Sequence, residues 1–231
     1  TLHTESFEPE DLVRGFGYAS RLCRELGLEL PRDAKMTDVP SHSWILPTLL
    51  RRAGVDFLQI GCNPASSSPD LPMLFWWEGP DGSKVLCYAN DTYNGKITPQ
   101  LRDELQKVAP DKNRILHITG VGDHGGGPSR EEIELVHELD KLTDYPAVKF
   151  TTAETFFNRL EEEMDGRPTH KGEMQFIFEG CYTTVSEIKS GNRNCQNLLF
   201  GSEYFNTLNW LSGGRYPQNE LNELWETVTF N

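Results

Sequence analysis

The stretch Arg114-Ile115-Leu116-His117-Ile118-Thr119-Gly120, followed by Val121-Gly122-Asp123-His124-Gly125-Gly126-Gly127-Pro128 and Ser129-Arg130-Glu131-Glu132, decides the fold class. Its opening run is short, apolar and rich in β-branched residues, and a glycine closes it, which is the pattern of a buried strand. Ser129 and Glu132 have the spacing of a capping box, so a helix starts there and carries Leu135, Leu139 and Leu142. Strand, glycine-rich loop and helix in that order make the repeating unit of a parallel sheet with helices packed on it.

The same alternation holds on either side. Residues 9–26 predict a helix with Leu12, Phe16, Ala19, Leu22, Cys23 and Leu26 on one face, Pro9 in its first turn and Gly27 at its end. An extended run at 33–37 leads to Asp38. A helix over 43–53 follows, with Ser43 as N-cap and Gly54 past its end. Residues 55–60 read as a buried strand, 62–82 as a long Pro/Ser-rich loop, 84–88 as a strand and 98–107 as a helix. Residues 147–151 read as a strand and 153–164 as a helix. From about residue 183 the pattern is helical only: one helix to about 211, with Leu198, Leu199, Phe205, Leu208 and Leu211 as core candidates, then Gly213-Gly214 and a second helix with Leu221, Leu224, Trp225 and Val228. Two arms of a helical bundle fit this pattern.

The chain has 231 residues and a formal charge of −13. An acidic balance without clustered Lys and Arg argues against a nucleic-acid partner, because phosphate binding needs such clusters. No apolar run approaches the roughly 18 residues of a membrane span. The five cysteines, Cys23, Cys62, Cys87, Cys181 and Cys195, contain no CxxC pair and are odd in number. They read as reduced, mostly buried thiols in a cytoplasmic setting. Asn90-Asp91-Thr92 matches a glycosylation sequon and reads as a chance match.

In parallel α/β folds reactive groups lie at the carboxyl ends of strands. Asp38 and Asp123 meet that condition, each after a strand and before a helix. A strand-end Asp is also a common helix cap or turn residue. Two carboxylates across one cleft are what glycoside hydrolysis requires, one to attack the anomeric carbon and one to shuttle the proton. Gly125-Gly126-Gly127 allows close backbone approach to a ligand. It lacks the Lys-Ser/Thr pair and the GxGxxG spacing of phosphate loops, so it fits a sugar cleft better. Asp38 and His42 form a DxxxH pair that could ligate a metal, or His42 could simply hold its loop in shape. The aromatic cluster Phe75, Trp76, Trp77 and Tyr88 fits core packing or sugar stacking.

Four segments in order resemble glycoside hydrolase family 38, the α-mannosidases. Asp38-Val39-Pro40-Ser41-His42-Ser43 with Leu46-Pro47 resembles the family's Asp-Pro-Phe-Gly-His-Ser segment, with Val39 in place of Pro. Gly122-Asp123-His124-Gly125-Gly126-Gly127-Pro128 resembles its Gly-Asp-x-Gly-Gly-Gly-Pro loop. Gly180-Cys181-Tyr182-Thr183-Thr184 with Lys189 and Asn192-Arg193 resembles its Gly-Thr-Tyr-Thr-Ser signature. Leu224-Trp225-Glu226 onward resembles the helix before its Asn-Gln-Phe-His-Asp motif.

The resemblance implies an incomplete seven-stranded, barrel-like α/β catalytic domain over residues 1–180, and two helices of a three-helix bundle over 181–231. It implies retaining cleavage of α-mannoside glycans with a divalent metal, Zn2+, at the sugar site. On this pattern Asp38 is both nucleophile and metal ligand, and Asp123 matches the acid/base position, where other members carry a second acid in place of His124. Substrate contacts fall on His124, on Phe178, which replaces a Trp, and on Tyr182. The family's His-x-Asp pair would precede residue 1 and the His of its last motif would follow Asn231. The 231-residue piece alone is therefore expected to be inactive and to bind metal poorly. Self-association is compatible with the pattern. The alternatives are a non-catalytic carbohydrate-binding relative and a metal-dependent carbohydrate deacetylase in which His42 ligates the metal.

Overall fold

The computed structural model describes residues 4, 7–39, 41–62, 70–90, 93, 95–108, 114–120, 126–142, 147–161, 166–175 and 184–230. The elements are α1 (Pro9–Leu26), β1 (Asp33–Thr37), β2 (Ser41–His42), α2 (Leu46–Arg52), β3 (Phe57–Gly61), β4 (Leu74–Glu78), β5 (Lys84–Asn90), α3 (Leu101–Val108), α4 (Arg130–Leu139), α5 (Ala153–Glu161), β6 (Thr169–Lys171), β7 (Met174–Gln175), α6 (Ser186–Leu211) and α7 (Gln218–Phe230). The chain divides into two compact units, one built on Pro31–Ile177 and the other on His3–Leu30 with Phe178–Asn231.

The first unit holds a five-stranded sheet in the order β1-β3-β5-β4-β6. β3 lies inside it and is buried along its whole length, as its sequence Phe-Leu-Gln-Ile-Gly allows. β1, β3 and β5 run parallel, whereas β4 runs antiparallel to β5 and parallel to β6. The sheet is therefore mixed rather than wholly parallel, and the described strands form an open row, not a closed barrel. The difference comes from Leu74–Glu78, which the sequence reading leaves in a loop. Its bulky run Leu-Phe-Trp-Trp favours a strand. The tight turn that follows, with Gly82 at φ 83° and the Ser83 amide donating to Asp81 at 3.0 Å, sends the chain straight back.

One face of this sheet meets α5. Phe57 stacks on Phe157 at 4.9 Å between centroids, and Tyr88 meets Phe156 edge-on at 5.3 Å. Each such pair adds about 0.5–1.5 kcal/mol beyond the area it buries. Helix ends follow their sequence signals closely. The capping box of Ser129 and Glu132 forms at the start of α4. Gly54 adopts φ 84° after α2, and the Val55 amide reaches back to the Leu50 carbonyl at 2.9 Å. Other boundaries shift. α2 begins at Leu46 with Ile45, not Ser43, at its N-cap, while the Ser43 carbonyl accepts the Leu46 amide at 3.0 Å. Among the described residues, 147–151 form no strand, and 114–119 make a single parallel bridge, Thr119 with Gly95.

In the second unit α1 packs with α6 and α7. Arg14 of α1 lies 4.4 Å from the Trp225 ring centroid and pairs with Glu203 of α6 at 2.8 Å, while Glu203 also accepts the Trp225 indole N–H at 3.0 Å. Leu221, Trp225 and Val228 of α7 are buried with Leu199 of α6. Leu198, Phe205, Leu208, Leu211 and Leu224, expected in the core, are exposed among the described residues. The apolar residues of α6 are spread around its circumference rather than gathered in one stripe, so two partner helices cover only part of them. Among the described residues no helix is long and apolar enough to cross a membrane.

Candidate functional site

The carboxyl ends of the three parallel strands lie in one row. Thr37, the last residue of β1, pairs with Gly61, the last of β3, and Gly61 pairs with Asn90, the last of β5. Asp38 stands one residue beyond that row. Its backbone is left-handed, with φ 58°, a conformation that non-glycine residues rarely adopt and that Asp and Asn tolerate best. The Asp38 amide donates to the Gly61 carbonyl at 3.0 Å, and its side chain is exposed while the next residue, Val39, is buried. The strand end thus turns the carboxylate outward and fixes its backbone.

Gly61 is required at that point. A Cβ there would lie 2.8 Å from Tyr93 Cβ and 2.9 Å from Thr37 Cγ2. Beside it, Asn90 makes two contacts. Its Oδ1 accepts from Gln59 Nε2 at 3.2 Å, and its Nδ2 donates to the Leu116 carbonyl at 3.0 Å. The Leu116 amide donates to the Tyr88 hydroxyl at 2.9 Å, which explains why this segment bonds to side chains rather than to a strand ladder. Burial pushes the Tyr88 hydroxyl up to about 12, so it stays protonated. Further along, Gly95 donates to the Ile118 carbonyl at 2.9 Å and accepts the Gly120 amide at 3.2 Å. A side chain at Gly95 would collide with the His117 ring, whose Nε2 lies 3.1 Å from the Lys96 carbonyl.

His42 lies in a different environment from Asp38. It is fully buried on β2, which pairs antiparallel with β7, and its ring meets Trp77 edge-on with centroids 6.5 Å apart. Burial lowers its pKa to about 4, so the ring is neutral near pH 7. Phe75, Trp77 and Tyr88 are core residues. Cys62 and Cys87 are buried and stand outside any disulfide among the described residues, and burial raises the Cys87 thiol well above its usual value.

Of the residues singled out from the sequence, Asp38 is placed at the strand-end row. Asp123, His124, Phe178 and Tyr182 lie outside the described residues. Gly61 and Asn90 were missed as site residues. The available signals were a glycine closing a buried strand and a glutamine, Gln59, inside an otherwise apolar one.

Residues 4–180 match the model of the glycosyl hydrolases family 38 N-terminal domain, and residues 177–231 match that of the alpha mannosidase middle domain. Human alpha-mannosidase 2C1 is 30% identical over 209 residues, covering 85% of this chain and 20% of that protein. Alpha-mannosidase G of Dictyostelium discoideum is 29% identical over 231 residues, covering 95% of this chain and 21% of that protein. The chain therefore spans about a fifth of the length of these relatives. The crystal structure of an alpha-mannosidase from Enterococcus faecalis V583 has the same fold, with a TM-score of 0.76 at 20% identity over 98% of this chain and 28% of that one. The match of residues 4–180, more than half of the chain, to the family 38 N-terminal domain leads to one assignment: the chain belongs to glycosyl hydrolase family 38.

Proposed function

We propose that the chain forms the nucleophile-bearing part of a retaining α-mannosidase in which Asp38 attacks the anomeric carbon and Asp123 acts as acid and base. The observation that carries this reading is Asp38 itself, an exposed carboxylate held in a left-handed turn at the end of a parallel strand. A fixed backbone and an exposed carboxylate suit a nucleophile that must approach C1 in line. As Asp38 forms its ester bond to C1, the glycosidic C1–O bond breaks and Asp123 delivers a proton to the departing oxygen. In the second half Asp123 takes a proton from water, the water oxygen bonds to C1, and Asp38 leaves as carboxylate. His124, Phe178 and Tyr182 contact the sugar. A cytoplasmic setting accords with buried cysteines that stand outside disulfides.

The reading includes a divalent metal, Zn2+, with Asp38 as one ligand. The described residues contain no group of three His, Cys, Asp or Glu side chains that could hold such an ion. They do not make a metal site by themselves, and no step above runs through one. The burial of His42 against Trp77 also weighs against the deacetylase alternative, which needs that ring beside Asp38 at an open site.

The test uses the intact gene product with both flanks. Cleavage of an aryl α-mannoside is followed with and without chelator, beside Asp38→Asn, and the anomer first released is identified by NMR. Metal-dependent activity that yields the α anomer and collapses in the variant supports the reading. Folded wild-type and variant proteins that are equally inert would refute it.

A further inference from the structure

We propose that Asn90 is a positioning residue for proton transfer, holding the segment that leads to Asp123 against the row of strand ends that presents Asp38. The inference rests on the reading of the two carboxylates given above.

Both backbone groups of Leu116 are held by side chains of β5: the amide by the Tyr88 hydroxyl at 2.9 Å, the carbonyl by Asn90 Nδ2 at 3.0 Å. Residues 88 and 90 stand on one face of their strand, so two side chains two positions apart replace a backbone ladder. The orientation of the Asn90 amide is dictated by its neighbour. Gln59, 1% exposed, donates to Oδ1, which leaves Nδ2 for Leu116. The other side of Asn90 reaches Asp38. Asn90 pairs with Gly61 in the β3–β5 register, its carbonyl accepts the Cys62 amide at 3.0 Å, and Gly61 accepts the amide of Asp38. One residue therefore joins the strand end of the nucleophile to the segment that runs on toward Asp123.

Retaining hydrolysis depends on a carboxyl separation of about 5–5.5 Å, and a misplacement of about 1 Å can cost roughly 100-fold in rate. No substrate contact is assigned to Asn90. Its Nδ2 is also the atom that a glycan on the Asn90-Asp91-Thr92 sequon would occupy, and the fold uses that atom internally.

The test compares Asn90→Leu and Asn90→Asp with wild type in the intact gene product. Both substitutions remove the donor to Leu116, and Asn90→Asp keeps the size of the side chain. Two substrates separate positioning from general damage. A 2,4-dinitrophenyl α-mannoside has a leaving group that departs without a proton, whereas methyl α-mannoside requires one. The expected result is a fall of about 100-fold in kcat/KM on the methyl glycoside, a much smaller fall on the dinitrophenyl glycoside, and partial rescue of its turnover by azide. Amide hydrogen exchange over 114–120 should quicken in both variants while 57–61 stays protected. An equal fall on both substrates, or unchanged kinetics, or unchanged exchange, overturns the proposal alone. A wild type that cleaves neither substrate overturns the mannosidase reading and this proposal with it.

Discussion

The amide of Asp38 donates to the carbonyl of Gly61 at 3.0 Å, and Gly61 has no room for a side chain beside Tyr93 Cβ and Thr37 Cγ2. The nearest obstacle is a Cβ, which cannot swing aside as a flexible side-chain end can. Gly61→Ala should therefore push β1 and β3 apart at their ends and cost about 1–3 kcal/mol of stability. In the intact gene product it should also lower kcat more than it raises KM, because the backbone that aims Asp38 moves. Thermal unfolding and steady-state kinetics check this together. Wild-type values in both would mean that the row of strand ends absorbs a methyl group without moving Asp38.

Asp38 itself separates chemistry from fold. Asn tolerates the left-handed region nearly as well as Asp, so Asp38→Asn should leave stability within about 0.5 kcal/mol of wild type. Its activity on an aryl α-mannoside should fall by about three orders of magnitude or more, because an amide is not a nucleophile toward C1. Asp38→Ala should lose the same activity and about 1 kcal/mol of stability besides, since alanine is strained at φ 58°. Denaturant titration of both variants distinguishes the two costs. Equal stability of the Asn and Ala variants would argue that the turn relaxes.

Trp225 is the largest side chain in the buried cluster of the helical unit. Trp225 is 2% exposed, faces the Arg14 guanidinium and donates to Glu203. Trp225→Ala should destabilise this unit by about 3–5 kcal/mol and leave Glu203 and Arg14 without their ring partner. Hydrogen exchange resolved by segment reads this as faster exchange over α6 and α7. Unchanged protection there would assign the stability of the unit to contacts elsewhere.

Local signals were legible where one residue type has one conformational use. Gly27, Gly54 and the Ser129–Glu132 box ended or began helices where the sequence placed them. Asp38 at a strand end was legible for the same reason, because it follows a short extended run and precedes a turn. Sheet direction was not. Leu74–Glu78 is hidden in a Pro/Ser-rich stretch, and only its pairing with β5 makes the sheet mixed. Residues 114–119 carry a strand pattern, yet Tyr88 and Asn90 satisfy Leu116 through side chains, a long-range arrangement that no local pattern encodes. The exposure of α6 is likewise set by which helices lie against it, not by its composition.

His42 tests the remaining chemical alternative through pH. Burial lowers its pKa from the usual 6.5 to about 4, so the folded protein holds a neutral ring that the unfolded chain protonates more readily. The stability this contributes is fully present above pH 6.5 and is lost as pH falls toward 4. Between pH 7 and pH 5 the loss from this group should be about 2 kcal/mol. Denaturant unfolding at the two pH values should show it in wild type, and His42→Leu should show a shallower dependence. Under the mannosidase reading the same substitution leaves the zinc affinity of the intact gene product unchanged, because a ring packed against Trp77 supports the fold and ligates nothing. A large loss of zinc affinity, with the protein still folded at pH 7, would place His42 among the metal ligands and revive the deacetylase alternative.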